Sequence, residues 1–517
     1  MHFRVCLAAA LLWGFLATLV TASPPLPHVE KIAPGVHAVG FAHRHKSANC
    51  GWVTLGDSTL LVDIPRGVPV PEFLSEVVGT SGKPARTLLL THFQNEDLPT
   101  LLSLSGHGIR KIITSTNIGK RIAGNSTKVW SKLVQAVSTK TAVGDDTLSI
   151  DLIPLDSVVS PGGAAVHLPG QKVLFAGPIV VNGPRARLPG TNTARWVSML
   201  RQLEELGATR VVPGFGSWGG AHLLERQRRY LAELRRQIAY GITMGKPLET
   251  IERETLLPAS YFTWMPYDSP KAEDIAHVHS ELTISAAPFG GRPPERSDSQ
   301  PHALVLIGDR YHEPEYIETG LRRVFGATHV VPHFTVDVRA LSAETLARVD
   351  LLVVLRDGMI WPEGPKKPYK IWMTPAQEVA VVQFVRGGGA FLNLHNSMGL
   401  YPKDGPYLDL VGGRYIGHGP LERFRVEVVD RTHPVTRGVE DFSVADEQHT
   451  PPYEKEKVHL LLRNRSDDGK VAAAGWVYEP GRGRLCHLAN GHTRESLLHP
   501  AFQLLLRNAV NWCLRRE

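Results

Sequence analysis

The chain has 517 residues, of which 43% are hydrophobic and 21% are charged, values that are typical of globular proteins. A chain of this length exceeds one ordinary hydrophobic core, so two or three domains are expected. The net charge of +7 is small, and the basic residues are scattered apart from one concentration between Arg226 and Arg236. Leucines at helical spacing accompany this concentration, but no set of aromatic residues does. A solvated helix face is therefore predicted there, and no nucleic-acid partner is expected.

Residues 1–22 have the pattern of a secretory signal. Arg4 supplies a positive start, Val5 to Val20 is apolar, and the small residues Thr21 and Ala22 follow. A secreted or periplasmic protein is therefore predicted. The alternative is an uncleaved N-terminal anchor, because the apolar run is only slightly short of a membrane span. Such an anchor would be the only contact of this protein with a membrane.

The first motif that carries chemistry follows an apolar strand predicted at Thr87–Leu90. Thr91–Asp97 places an imidazole and carboxylates on one loop, and it resembles the T-H-x-H-x-D-H motif of the metallo-β-lactamase superfamily. In that family the motif holds Zn²⁺ ions that turn water into hydroxide. His92 keeps its position in the motif. The other three ligand positions carry Gln94, Glu96 and Asp97.

The later motifs of this resemblance, which covers about residues 28–222, are altered as well. Leu60–Asp63 matches an early strand that ends in Asp, but the positions of the third His and of the bridging Asp hold Val159 and Pro178. The closing G-H-G motif reads Gly214–Gly216, with a phenylalanine in the middle. The resemblance implies an αββα sandwich whose zinc chemistry has been lost. A rebuilt site of His92, Glu96 and Asp97 is the alternative.

The composition then changes towards a second domain. Helices are predicted at about residues 221–240 and 248–255, and residues 286–301 are rich in Pro, Gly and Ser, as linkers are. Residues 223–300 are therefore predicted to be a helical segment and linker, and residues 301–517 a second domain. In this domain apolar strands alternate with helices, which predicts a parallel sheet covered on both faces. The strands are predicted at His302–Gly308, Val349–Leu355 and Ala390–Leu394, and the helices at Tyr316–Phe325 and Pro375–Val385, with Thr374 as N-cap.

The second domain strongly resembles the ThuA-like (trehalose utilisation) family, with its motifs in family order. The matching segments are Gly387–Asn396, Gly412–His418, Asp430–Gly438, Asp446–Glu447, Gly481–His492 and Pro500–Trp512. The resemblance implies a flavodoxin-like fold related to class I glutamine amidotransferases, and an association with sugar metabolism.

The candidate site lies at strand ends, where open α/β sheets bind ligands. His395 directly follows the third strand, at the position where amidotransferases place a Cys nucleophile; no Cys is present, so amide hydrolysis through a thiolate is excluded. His395 is therefore predicted to move protons together with Asp446 or Glu447. Only one of these carboxylates can face a given cleft, because neighbouring side chains of a strand alternate. The residues predicted to orient sugar hydroxyls are His312, His418 and His492.

The function expected from the sequence is that of an exported protein whose ThuA-like domain binds, and in one version transforms, a small-molecule sugar. A non-catalytic scaffold built from two inactive enzyme folds is the alternative. No cofactor and no metal ligand is assigned, and binding of a divalent metal to the second domain is left open. The sequence also leaves open the oligomeric state and a disulfide between Cys486 and Cys513.

Overall fold

The computed structural model describes residues 28–40, 48–124, 130–156, 158–159, 162–183, 186–256, 272–283, 300–361 and 368–517. The predicted signal segment, and all but residues 300 and 301 of the Pro/Gly/Ser-rich stretch, lie outside these residues. No helix within them is both long and apolar enough to cross a membrane.

The first half of the chain forms two sheets. The first has the order β1-β2-β3-β4-β5-β6-β7, antiparallel up to β4 and parallel from there. Its strands are β1 (His28–Ala33), β2 (Val36–Gly40), β3 (Cys50–Thr54), β4 (Thr59–Val62), β5 (Ala85–Leu90), β6 (Lys111–Ser115) and β7 (Val134–Val137). The second sheet has the order β12-β11-β10-β9-β8. Its strands are β8 (Thr141–Asp145), β9 (Leu148–Pro154), β10 (Ala164–Leu168), β11 (Val173–Asn182) and β12 (Arg210–Gly216).

Helices cover the outer face of each of these sheets. The helices of the first sheet are α1 (Val70–Ser81), α2 (Leu98–Gly106), α3 (Thr116–Gly124) and the short α4 (Trp130–Leu133). The helices of the second sheet are α5 (Thr193–Glu204), which lies between β11 and β12 in the chain, α6 (His222–Thr243), α7 (Leu248–Glu254) and α8 (Ala272–Leu282). Apolar side chains of the two sheets, such as Val62, Leu89 and Phe175, form one core between them. Further cores join each sheet to its helices. The expected αββα sandwich is confirmed.

The second half forms one mixed sheet of nine strands, in the order β14-β13-β15-β18-β23-β22-β21-β19-β20. The run from β14 to β23 is parallel, as predicted, and the rest is an antiparallel extension that the sequence did not predict. The strands are β13 (His302–Ile307), β14 (Val331–Thr335), β15 (Leu351–Leu355), β18 (Ala390–Leu394), β19 (His418–Val428), β20 (Phe442–His449), β21 (His459–Ser466), β22 (Val471–Tyr478) and β23 (Arg484–Leu488). A separate hairpin pairs β16 (Met359–Ile360) with β17 (Lys370–Ile371).

Helices pack on both faces of this sheet, each over its own apolar core, which confirms the flavodoxin-like layering. They are α9 (Pro314–Thr328), α10 (Ala343–Leu346), α11 (Pro375–Arg386), α12 (Pro406–Val411), α13 (Arg494–Leu498) and α14 (Pro500–Cys513). Thr374 caps α11 as predicted, in a capping box with Gln377. Cys486 and Cys513 are buried free thiols, so the disulfide between them is not formed.

A half-buried pair of histidines is expected to make the edge of this sheet sensitive to acid. His302 on β13 lies 3.0 Å from His333 on β14, and burial, together with the His302 charge, lowers the pKa of His333 to about 4. Between pH 6.5 and about 4 the unfolded chain therefore binds a proton at this residue that the folded chain does not. The free energy of unfolding should fall as the pH decreases through this window.

A His333→Gln variant is expected to show a smaller loss of stability between pH 6.5 and 4.5 than the unchanged protein, measured by urea denaturation. His329→Asn is the matched control, because His329 is exposed and occupies a left-handed conformation that Asn accepts. Parallel pH profiles for all three proteins would refute the assignment.

Candidate functional site

In the first half, polar side chains of the loop Thr91–Asp97 form hydrogen bonds and ion pairs with other residues of the protein. Asp97 is buried and forms a bidentate ion pair with Arg66, in which both N···O distances are 2.8 Å. His92 lies 3.2 Å from the hydroxyl of Thr91, which donates a hydrogen bond to Asp63. Each of these polar groups therefore has a partner within the protein.

The structure does not bring together the alternative ligand set of His92, Glu96 and Asp97. His92 is buried against the ring of Phe215, whereas Glu96 is exposed to solvent. Val159, at the position of the third histidine, is buried as an ordinary apolar residue. Among the described residues, groups of three side chains that could hold a metal occur only in the second half.

The predicted histidines of the second half converge at one edge of the nine-stranded sheet. His395 follows β18, His312 follows β13 and His492 follows β23, and these three parallel strands end at the same edge. His418 begins β19 and pairs with His449 at the end of β20, in the antiparallel extension. Residues up to 180 positions apart in the chain thus meet, because parallel strands carry their carboxyl ends to one edge.

His395 occupies the centre of this group and is fully buried. Its φ of +49° places it in the left-handed region, on the tight turn that follows β18. Its Nδ1 donates to the carbonyl of Ala489 at 2.9 Å, so in the neutral imidazole Nε2 carries no proton and offers its lone pair. That Nε2 has no hydrogen-bond partner. A buried polar atom without a partner indicates a site for a group that it would bind.

His312 and His492 present two more ring nitrogens to this centre. His312 Nδ1 lies 2.8 Å from a carboxylate oxygen of the buried Asp309, and its Nε2 lies 2.9 Å from Nδ1 of His492. A carboxylate behind a histidine fixes its ring and directs the other nitrogen forward, as in many metal sites. The geometry therefore orients the donor atoms of both histidines.

Glu447, rather than Asp446, faces the histidines. One oxygen of Glu447 lies 3.3 Å from His492, 3.6 Å from His418, 3.7 Å from His449 and 3.9 Å from His395. Asp446 is buried on the other side of the strand, where its carboxylate accepts hydrogen bonds from the backbone N–H groups of Gly491 and His492. Asp446 thus positions the loop that carries His492.

A cavity of about 280 Å³ opens above this group and is called here the histidine cavity. Its lining includes Glu447 and all three predicted ligand-binding residues, which are His312, His418 and His492. His395 lies beneath its floor. Ser397, two residues after His395, is buried, and its hydroxyl donates to the backbone carbonyls of Val354 and Leu394.

Two residues of this site, Asp309 and Asp357, received no role from the sequence pattern, and His449 only that of a residue that could line a pocket. The period of two along β20 places His449 on the same face as Glu447, so this signal could have identified it. No comparable signal marked Asp357. It follows β15, its Oδ2 is buried without a hydrogen-bond partner, and it lines the histidine cavity.

Burial sets the protonation states of the site. It lowers the pKa of His492 to about 4, with His312 adding to the effect, and lowers the pKa of His395 well below its usual value. Burial raises the pKa of Asp357 to about 7, and the neighbouring charge of Asp309 acts in the same direction. Burial also raises the pKa of Glu447. The hydrogen bond from His449 and the charges of the nearby imidazoles have a larger, opposite effect and keep this pKa below its usual value. At neutral pH His395 and His492 are therefore neutral and Glu447 is ionised. Burial lowers the pKa of His312 as well, but the carboxylate of Asp309 outweighs this effect and holds that pKa above its usual value.

Two overlapping groups of side chains have the geometry to hold a metal ion. His312, His395 and His492 form one, His395, Glu447 and His449 form the other, and within each group the donor atoms lie within 4.8 Å of one another. Imidazole and carboxylate ligands suit Zn²⁺, Fe²⁺ or Mn²⁺. Because metals bind neutral imidazole, the lowered pKa values of His395, His449 and His492 favour binding at neutral pH, whereas the raised pKa of His312 opposes it.

The comparison with known families assigns the second half. Residues 302–513 match the family model for ThuA, described as trehalose utilisation. The second half of this chain is ThuA-like. A ThuA-like protein from Bacteroides uniformis ATCC 8492 has a solved structure with 20% sequence identity and a TM-score of 0.34, over 43% of this chain and 94% of that chain.

The structures similar to this chain also include metallo-β-lactamases. The enzyme from Pontibacter korlensis is 22% identical, over 40% of this chain and 98% of its own, with a TM-score of 0.35. Both resemblances expected from the sequence, to metallo-β-lactamases and to ThuA-like proteins, are confirmed. No curated protein sequence matches the chain.

Proposed function

We propose that this protein is exported and that its ThuA-like domain binds and transforms a sugar or modified sugar in the histidine cavity, with a divalent metal held by the histidines. The observation that carries this proposal is the buried Nε2 of His395. It has no hydrogen-bond partner, and it faces Glu447 and other imidazoles. In a purely structural turn this nitrogen would be costly to bury without a partner.

The protonation states of two carboxyl groups support chemistry rather than binding alone. Glu447 is ionised at neutral pH and can accept a proton, whereas Asp357, with a pKa of about 7, can donate one. Environments that separate the pKa values of two groups in one cavity are typical of acid–base catalysis. A bound metal would polarise a sugar hydroxyl or carbonyl. Glu447 is therefore proposed as general base and Asp357 as general acid.

The first half is proposed to be a scaffold that has lost metallohydrolase chemistry. The ion pair of Asp97 with Arg66 and the burial of Val159 support this. The signal pattern of residues 1–22 supports export.

The test is turnover and binding of a sugar panel by the full-length protein in the presence of Zn²⁺ or Mn²⁺. The panel contains glucose, trehalose and their 3-keto derivatives. The Glu447→Gln variant is expected to lower turnover by at least about 100-fold, because a general base typically contributes 10²–10⁴-fold. Glu440→Gln is the control, since Glu440 is 90% exposed.

The outcomes separate the proposals. If no sugar binds, the non-catalytic scaffold replaces the proposed function. If a sugar is turned over equally well by Glu447→Gln, the base has been assigned to the wrong residue.

A further inference from the structure

A second cavity, of about 460 Å³, lies next to the histidine cavity, and we call it the junction cavity. Met359 contributes to the walls of both, and Asp309, the partner of His312, lines the junction cavity. The two spaces are therefore adjacent. Cavities that bury a small-molecule ligand are typically about 300–1,000 Å³, so the histidine cavity alone is small for a ligand of two rings.

The walls of the junction cavity come from both halves of the chain. The ThuA-like half contributes Trp361 and five residues of the segment after β13, whereas Tyr240, Thr243 and Met244 come from helix α6 and its end. The five residues are Gly308, Asp309, Arg310, Glu313 and Pro314. Trp361 and Tyr311 connect the two cavities, because Trp361 lines one, Tyr311 lines the other, and their rings meet edge to face at 6.0 Å.

The chemistry of these walls suits a sugar ring. Trp361 and Tyr240 offer aromatic surface, against which the apolar C–H face of a pyranose can pack. Arg310 lies with its guanidinium 4.9 Å above the Trp361 ring, and Glu313 is a second charged residue of the lining. A few polar groups among apolar ones fix the orientation of a ligand in such a pocket.

Ion pairs fix α6 against the ThuA-like half, so the cavity is preformed. Arg235 on α6 is 2% exposed and pairs with Glu318 on α9 at 3.4 Å. Arg201 on α5 also pairs with a carboxylate of α9, that of Glu315, at 3.1 Å. Val336, directly after β14, donates a backbone hydrogen bond to Leu282 at the end of α8.

From this geometry we infer that the first half of the chain completes the substrate site. Helix α6, in the helical segment that follows the metallo-β-lactamase-like region, forms one wall of a subsite that binds the second ring of a disaccharide, while the first ring occupies the histidine cavity. This inference rests on the proposed function and specifies its substrate class. It gives the first half a role in recognition that needs no metal of its own.

The test compares two probes, trehalose and methyl α-D-glucoside, by calorimetric titration of the full-length protein. The unchanged protein is expected to bind trehalose at least about tenfold more tightly, because only the disaccharide reaches the junction cavity. Thr243→Trp, which fills this cavity from α6, should remove that advantage and leave the affinity for methyl α-D-glucoside unchanged. Arg229→Trp is the matched control, since it adds the same side chain at an exposed position of the same helix.

A second variant keeps the test decisive if Thr243→Trp fails to fold. Trp361→Ala removes aromatic surface from the subsite and should also reduce the preference for trehalose. Equal affinities for the two probes in the unchanged protein, or a preference that survives both substitutions, would overturn the inference while leaving the proposed function intact. Binding of neither probe would count against both.

Discussion

A His395→Asn variant is expected to lose divalent-metal binding by a factor of at least about 100. Even the loss of a group behind a metal ligand typically costs about 10–100-fold in affinity, and His395 Nε2 belongs to both potential metal groups. Asn is chosen because it tolerates the left-handed backbone of this position, where φ is +49°. The fold should therefore survive, and the measurement is metal content together with a competition titration against a chelator.

The control for this variant is His459→Asn, because His459 is exposed and pairs with Asp430 away from the site. Affinity should also weaken as the pH falls, since protons compete with the metal for the imidazoles. Unchanged metal binding by His395→Asn would remove the proposed metal site. Metal that persists in this variant but disappears in His92→Asn would instead restore a metal centre to the first half.

Replacement of Arg235 by Met is expected to destabilise the protein by about 3–5 kcal/mol, the usual result when one partner of a buried ion pair is removed. Arg235 donates to Glu281 at 2.7 Å and to Thr193 at 2.6 Å, and it pairs with Glu318 across the two halves. The substitution removes the cation that these two largely buried carboxylates share. Glu318 keeps its ion pair with Arg322 and Glu281 keeps its contact with His277, so a loss near the lower end of this range is expected. Chemical denaturation of the full-length protein measures the loss.

The neighbouring residue provides the control. Arg236 is exposed and pairs with Glu233 on the same helix, so Arg236→Met should cost less than about 1 kcal/mol. Equal losses for the two variants would show that the buried ion pairs do not join the halves. If Arg235→Met also removes the preference for trehalose, the position of α6 and the second subsite are linked.

The burial of Arg235 corrects one prediction from the sequence. The basic residues from Arg226 to Arg236 were expected to form a solvated helix face. The structure confirms a helix there, His222–Thr243, but Arg235 is 2% exposed. Sequence periodicity shows which face of a helix is apolar. It does not show whether carboxylates of a helix distant in the sequence will pack beside an arginine and form buried ion pairs with it.

The choice between Asp446 and Glu447 shows the same limit. Alternation along a strand predicted that only one of them faces the cleft. The tertiary structure decided that it is Glu447, because the backbone of Gly491 and His492 occupies the other face and binds Asp446. His449 lies beside Glu447 for the same geometric reason, and it acquires a role only once the sheet is assembled.

The sequence by itself determined several local features of this protein: the strand that precedes His395, the cap of α11 at Thr374 and the order of the motifs in both halves. Local propensity, periodicity and capping depend on residues that are close in the sequence, so they can be predicted from it. Only the tertiary structure decided that His312, His395 and His492 meet Glu447, and that α6 closes a cavity beside them. These contacts join residues far apart in the sequence, and they depend on the packing of sheets and helices that no local pattern records.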